Sequence, residues 1–340
     1  MEQYLNELND LLNIKSPTGH TEEAIQYAEA VFKEIGIPTR RTNKNALIAT
    51  ILGEDDENHV TLSAHVDTLG ALIKEITPTG RLRLSQLGGY AWPTIEGEHV
   101  TVETLNGKYY TGTVITNKAS SHVHGVETTS NPRNEKTLEV RIDEKVFTKN
   151  DILELGIRVG DYVHLDPRTT FTDSGFIKSR HLDDKACVVS LFEIARFFSN
   201  TKTKPHHTTN LFISNYEEVG HGASAAIPEK TREFIAIDMA APGEGQESDE
   251  YSVTICAKDS SGPYDYEMRK RLVKLAEGNQ IPFNLDIYPF YGSDGSAALR
   301  AGHDIRVALI GPGVDSSHSY ERTHKEAIDA TTKLCIAYLR

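Results

Sequence analysis

Four short apolar runs in this 340-residue chain each end in a histidine or an acidic residue. Val60-Thr61-Leu62-Ser63-Ala64 leads into His65-Val66-Asp67, and Asn210 to Tyr216 leads into Glu217-Glu218. Phe234-Ile235-Ala236-Ile237 leads into Asp238, and Ile305 to Ile310 leads through a Gly-Pro-Gly turn to His318. A short apolar run of this kind reads as a strand buried on both faces, as in a parallel sheet between helices. Open α/β sheets bind ligands outside the carboxyl ends of their strands. If the four runs are neighbours, two imidazoles and four carboxylates converge at one sheet edge. That is the inventory of a two-metal hydrolase.

Around these runs the texture of the chain changes twice. Thr21 can cap a helix whose apolar face is Ile25, Ala28, Phe32 and Ile35, ending at Gly36 with Pro38 beyond. Ala46 to Leu52 reads as a strand closed by Gly53. From about 69 to 162, alternating segments such as Leu72 to Ile76, Tyr109 to Ile115 and Leu138 to Ile142 are separated by Gly, Asn and Pro turns. Helical periodicity there is confined to a brief turn near Asp151 to Leu155, so the stretch reads as a β-rich insertion, a small barrel. After about 175 the strand–helix alternation returns. Cys187, Val188, Leu191, Phe192, Ala195 and Phe198 form one helical face, and Tyr266 to Gly278 and Lys325 to Leu339 read as further helices. The predicted organisation is an α/β domain built from 1-68 and 163-340, interrupted by an inserted β domain at 69-162.

The formal charge of -13 argues against nucleic acid and anionic membranes as partners, because phosphate binding needs basic surface. No apolar stretch approaches the roughly 20 residues that cross a bilayer. The start, Met1-Glu2-Gln3-Tyr4-Leu5-Asn6-Glu7, has neither the positive nor the apolar region of a signal peptide. Three dispersed cysteines, Cys187, Cys256 and Cys335, suit a reducing compartment and offer no thiolate metal site. The expected location is cytoplasmic.

Each polar element has an ordinary reading beside the chemical one. In His65-x-Asp67 a neutral imidazole can ligate a metal while a nearby carboxylate orients it, although this pair also arises by chance. Asp183-Asp184, just before an amphipathic helix, could cap it, a contribution of roughly 0.3–1 kcal/mol, or could bridge two cations. Glu217-Glu218 places like charges side by side, a conflict that a cation or a proton settles. One Glu could hold a metal while the other takes a proton from activated water; alternatively the pair is a solvated strand end. Asp294 in Gly292-Ser293-Asp294-Gly295 reads as a turn residue near such a site, and His221 as an outer residue.

The order His65-x-Asp67, Asp183-Asp184, Glu217-Glu218, Asp238, His318 resembles the di-metal aminopeptidase clan. Within it the chain is similar to the glutamyl and deblocking aminopeptidases that build tetrahedral (TET-type) particles. Ser63-Ala64-His65-Val66-Asp67-Thr68-Leu69-Gly70, Leu87-Gly88-Gly89, Gly156-Ile157-Arg158-Val159-Gly160-Asp161, Glu217-Glu218-Val219-Gly220 and Ser316-Ser317-His318-Ser319 carry the likeness. It implies an aminopeptidase-like three-layer α/β sheet domain with an inserted small β-barrel domain that serves dimerisation and assembly. It assigns His65 and Asp238 to one metal, Glu218 and His318 to the other, and Asp183 to the bridge. Glu217 becomes the general base and Asp67 the partner that orients His65. Two divalent metal ions per subunit follow, zinc first, with cobalt or manganese as alternatives. The implied partners are peptide substrates with a free amino terminus and copies of the chain itself, dimers assembling to a dodecamer. His122 lies where family members approach a neighbouring active site. Gly292-Ser293-Asp294 departs from the usual Gly-Gly-Thr-Asp loop, and Tyr320 replaces a common Pro or Ala. These departures bear on side-chain preference.

The implied function is removal of the first residue of a peptide by a metal-activated water. Lowering the pKa of water from about 15.7 to about 7 supplies on the order of 12 kcal/mol at about 1.36 kcal/mol per unit. That far exceeds what helix capping could ask of the acidic cluster. Two other enzyme classes compete: a glycoside hydrolase of endoglucanase type, which needs a carboxylate pair and no histidine, and a metallo-carboxypeptidase or amide deacylase on a related fold. A non-enzymatic assembly module would have to retain this ligand set without using it.

Overall fold

The structure is a computed structural model that describes residues 3–340. By chain contacts it divides into one unit made of residues 1–68 and 168–340 and a second made of Leu69–Pro167.

The larger unit is a nine-stranded mixed sheet. Its centre is His207–Ser214, Asp55–His65, Thr231–Ile237 and Arg306–Pro312, in that order, each parallel to its neighbour. The four apolar runs are therefore adjacent, with their carboxyl ends at one edge. Antiparallel Leu47–Ile51 flanks them on one side and Val253–Asp259 on the other. Alternate side chains explain why these runs carry so little polarity. Leu211, Ile213, Ile235, Ile237, Ala308 and Ile310 enter one apolar cluster with helices Gln3–Asn13, Glu22–Ile35, Leu182–Thr201, Tyr266–Gly278 and Lys325–Leu339. Phe212, Phe234, Ala236, Val307 and Leu309 enter a second cluster on the other face, with Ala298 of helix Asp294–Arg300. Period-two alternation between two dry faces leaves no place for solvated side chains.

Several local expectations change on contact with the structure. Thr21 precedes helix Glu22–Ile35 but makes no side-chain capping bond; Glu22 and Glu23 place negative charge in the first turn instead. Gly36, at φ 88°, ends the helix as expected, where a left-handed residue lets the N–H of Ile37 close on the Phe32 carbonyl. A separate three-stranded sheet of Thr170–Phe171, Phe176–Ser179 and Glu321–His324 sets Ser179 opposite Glu321. It thereby brings the segment leading to Asp183 alongside the one carrying His318.

The smaller unit is a closed antiparallel barrel, in the order Gly70–Ile76, Leu82–Leu87, Leu138–Ile142, Tyr109–Thr116, His99–Glu103, Tyr162–Leu165. The last strand pairs with both Gly70–Ile76 and His99–Glu103 and closes the cylinder. The insertion consequently runs to Pro167, not 162. In sequence Tyr162–Leu165 reads equally well as the first strand of the returning α/β pattern; its hydrogen-bond partners decide. The turn near Asp151 is the helix Lys149–Glu154, held by a reciprocal cap between Thr148 and Asp151. Two one-turn helices, Ser121–His124 and Glu127–Ser130, interrupt the β pattern with no sequence periodicity to announce them.

Candidate metal centre

Each chemical residue stands where a strand or helix releases the chain. His65 is the last residue of its strand and pairs in register with Ser214. Beyond Ser214 the chain turns at Tyr216, φ 72°, into a short 3₁₀ turn over Glu217–Val219. Asp238 follows Ile237 directly, its amide donating to the Ile310 carbonyl and its Oδ1 accepting from Met239 N. Asp183 and Asp184 open helix Leu182–Thr201 with non-helical backbone angles. His181, Tyr216, Ser316 and His318 all hold φ between 60° and 72°, where a non-glycine residue is disfavoured. Such residues cluster at functional sites and persist only when their surroundings over-determine them.

The side chains meet around Asp183. Its Oδ1 lies 3.1 Å from His65 Nε2 and its Oδ2 3.3 Å from His318 Nε2. His318 Nε2 is also 3.5 Å from Glu218 Oε2, and His65 Nε2 is 3.7 Å from Glu217 Oε2. Three groups of candidate ligand atoms each lie within 4.8 Å of one another: His65, Asp183 and Glu218; His65, Glu217 and Asp238; and Asp183, Asp184 and Asp238. Neither Asp caps its helix; Asp184 Oδ2 instead accepts the His65 amide at 3.0 Å. The geometry thus removes capping as the account of Asp183-Asp184. His65 Nδ1 sits 2.8 Å from the Asp67 carbonyl oxygen. A carbonyl only accepts, so in the neutral ring Nδ1 carries the proton and Nε2 keeps its lone pair toward the carboxylates. The Asp67 carboxylate is farther from that ring, 3.7 Å, and accepts the amides of Glu217 and Glu218 at 3.1 and 3.3 Å.

The electrostatics bear on what the cluster could hold. Burial raises the Glu217 and Glu218 carboxyls well above the usual range, with added repulsion from Asp238 and Asp183 respectively. Burial, then the charge of Asp183, pushes Asp238 up to about 7 and Glu321 up to about 8. Burial also raises Asp183, but hydrogen bonds from His318 and His65 outweigh it and hold that carboxyl low. Glu218 Oε1 is buried without a hydrogen-bond partner. Crowded carboxylates and an orphaned oxygen beside two imidazoles fit divalent cations held by nitrogen and oxygen donors. His65, Asp183, Glu218, Asp238 and His318 are the residues that could hold them.

A stability consequence follows for metal-free protein. Acids whose folded pKa is raised bind more protons folded than unfolded, so stability falls as pH rises from about 4 toward their folded values. Burial pushes His65 down, but the Asp183 hydrogen bond together with the charges of Glu217, Asp184 and Asp67 outweighs it and raises His65 well above its ordinary value, so it works in the same direction. Chelated protein should therefore melt at a lower temperature at pH 8 than at pH 5.5, and added metal should stabilise more at the higher pH. A metal-free melting temperature that rises across this interval would contradict it.

A cavity of about 620 Å³ opens on the cluster, lined by Asp183, Glu217, Glu218, Asp238, His318, Met239, Ala241, Tyr288, Phe290, Tyr291 and Arg300 among others. All the expected site residues come together in the cluster, with His65 and Asp67 behind the residues that line the cavity. Asp294 does more than form a turn: it is the first residue of helix Asp294–Arg300, and its buried carboxylate accepts from Ser214 Oγ and Ala223 N. Sequence reasoning missed Glu321, whose two oxygens accept the amides of Asp183 and His318 at 3.2 and 3.1 Å. It also missed Thr18, whose hydroxyl donates to Asp67 at 2.7 Å. A Glu three residues after His318 was the only sequence signal for the first, and nothing local marked the second.

Comparison with known proteins gives a concordant picture. The family model described as M42 glutamyl aminopeptidase matches residues 45–334. YhfE of Bacillus subtilis strain 168, provisionally named as an aminopeptidase, is 50% identical over 333 residues, covering 98% of this chain and 96% of YhfE. Among solved structures, the Pyrococcus horikoshii TET1 peptidase, described as able to assemble into a tetrahedron or a large octahedral shell, superposes with a TM-score of 0.85 at 23% identity, covering 99% of each chain. A Thermotoga maritima protein described as an endoglucanase is more distant, with a TM-score of 0.75 at 16% identity, covering 98% of this chain and 96% of that one.

Proposed function

The chain belongs to the M42 glutamyl aminopeptidase family and is a peptide-bond hydrolase, and from that premise we propose that it removes amino-terminal residues with two divalent ions held at the Asp183 cluster. His65 and Asp238 would hold one ion, Glu218 and His318 the other, and Asp183 both. Zinc is the first expectation, with cobalt or manganese as alternatives. When bound, the ions supply Lewis acidity and lower the pKa of a water. Glu217, which lines the cavity and whose carboxyl burial raises, would accept a proton from the attacking water and return it to the leaving amine. A held ion or a nearby acid would anchor the free α-amino group, which would limit cleavage to the first residue. The observation that carries this reading is Asp183, one oxygen toward each imidazole.

The test is a panel of aminoacyl anilides, with free and blocked amino termini, run after chelation and after return of each ion. Activity should vanish with chelator, return with metal, and require a free amino terminus. Cleavage that survives complete chelation would overturn the metal reading, and equal cleavage of blocked substrates would favour a carboxypeptidase or deacylase. The likeness to a protein described as an endoglucanase prompts one more substrate, a cellulose oligomer. Glycosidase carboxylates stand about 5–9 Å apart across a sugar, whereas the Asp183, Asp184 and Asp238 oxygens lie within 4.8 Å of one another. No cleavage of the oligomer is expected.

The same reading extends to assembly and place. The barrel unit would join dimers that build a dodecamer, a particle twelve times the 37.7 kDa chain. Light scattering of active enzyme should find that mass, and an active monomer would reject it. Three buried free cysteines fit a reducing cytoplasm.

A further inference from the structure

The Asp67 carboxylate is completely buried and does two things that its distance from His65 does not explain. Oδ1 accepts Glu217 N at 3.1 Å, and Oδ2 accepts Glu218 N at 3.3 Å. A carboxylate can swing about its last bond, and these two amides both belong to one short 3₁₀ turn. The third bond comes from elsewhere. Thr18 Oγ1, itself buried, donates to Oδ2 at 2.7 Å, the shortest of the three.

Thr18 is in turn bolted to the chain that carries Asp67. Its amide donates to the Thr68 carbonyl at 3.1 Å, the Thr68 amide donates to the Ser16 carbonyl at 2.9 Å, and Ser16 Oγ donates to the Val66 carbonyl at 2.8 Å. Lys185, two residues beyond Asp183 and fully buried, donates to the carbonyls of Leu11 and Ile14 at 2.8 Å each. Residues 11–18 are therefore anchored to two of the pieces of backbone that bear the acidic cluster, the one after His65 and the one after Asp183. They also lie upstream of residues 45–334, the part that matches the family model.

We propose that Thr18 is a positioning residue for the aminopeptidase reaction: its hydroxyl locks the Asp67 carboxylate, which holds the backbone of Glu217 and Glu218 and so aims the general base and its neighbouring metal ligand. The proposal rests on the roles assigned to those two glutamates above. A base displaced by an ångström loses rate without losing substrate, because geometry at the reacting atom matters more than binding.

Thr18→Val keeps the shape and removes the donor; Thr18→Ser keeps the donor. Two readouts separate positioning from general stability. In metal-loaded enzyme, Thr18→Val should lower kcat on the order of 10–100-fold, the range for residues that support ligands from behind, with KM little changed, and Thr18→Ser should restore kcat. In metal-free protein, hydrogen exchange followed by mass spectrometry should show faster exchange at the Glu217 and Glu218 amides in Thr18→Val, with Leu62 and Phe234 in the strands unchanged. Wild-type kcat together with wild-type protection in Thr18→Val would overturn the proposal, as would a Thr18→Ser variant no better than Thr18→Val. If Thr18→Val does not fold, Thr18→Ala takes its place in both measurements. The exchange readout does not involve catalysis, so it tests the clamp even if Glu217 proves not to be the base.

Discussion

Glu217→Gln should reduce kcat by on the order of 10²–10⁴-fold, the usual contribution of a positioned acid–base group, while both metal ions stay bound and KM changes little. The substitution preserves size and removes only the capacity to take a proton. Glu217 retains 13% side-chain exposure and lines the cavity, so it is within reach of solvent and substrate. In the metal-free protein its carboxyl is raised by burial. Metal content measured on the same sample is essential. A near-native rate in fully loaded Glu217→Gln would remove Glu217 from the mechanism; loss of metal would recast it as a ligand, a role its grouping with His65 and Asp238 makes worth checking.

Asp183→Asn should act differently, depleting metal first and activity as a result. Asp183 is the one carboxylate that faces both imidazoles, and the only carboxyl in the cluster held low instead of raised. An amide offers one neutral oxygen where two charged ones stood. Affinity for at least one ion should fall by 10²-fold or more, beyond the roughly 10–100-fold effect of residues that only support ligands. Competition with a chelator of known strength reads this directly. Full double occupancy in Asp183→Asn would count against the bridge. Comparing the two variants separates holding the ions from using them: one should be loaded and inactive, the other unloaded.

Much of this was legible before any coordinates. The four apolar runs had to be dry on both faces, and three of them enter an apolar cluster on each face, as at Leu211 and Phe212, while Val60 to Ala64 turns buried Thr61 and Ser63 to one side. Helices Tyr266–Gly278 and Lys325–Leu339 fall where their periodicity puts them. The inserted barrel announced itself by alternation and turns, yet its end at Pro167 did not, because Tyr162–Leu165 gains its identity only from the two strands it joins. Thr21 shows the opposite failure. A favoured capping residue at the right place makes no capping bond, since local preference worth about 1 kcal/mol yields readily to packing.

The sequence by itself determined the chemistry available: which strands end in imidazole or carboxylate, and in what order. Side-chain type and short-range periodicity are local properties, readable one window at a time. Only the tertiary structure decided which of those groups face one another. Asp183 reaches His65 and His318 across 118 and 135 residues of chain, and Thr18 reaches Asp67 across 49. Hydrogen bonds of that span depend on how the sheet orders its strands, and no residue's neighbours in sequence encode it.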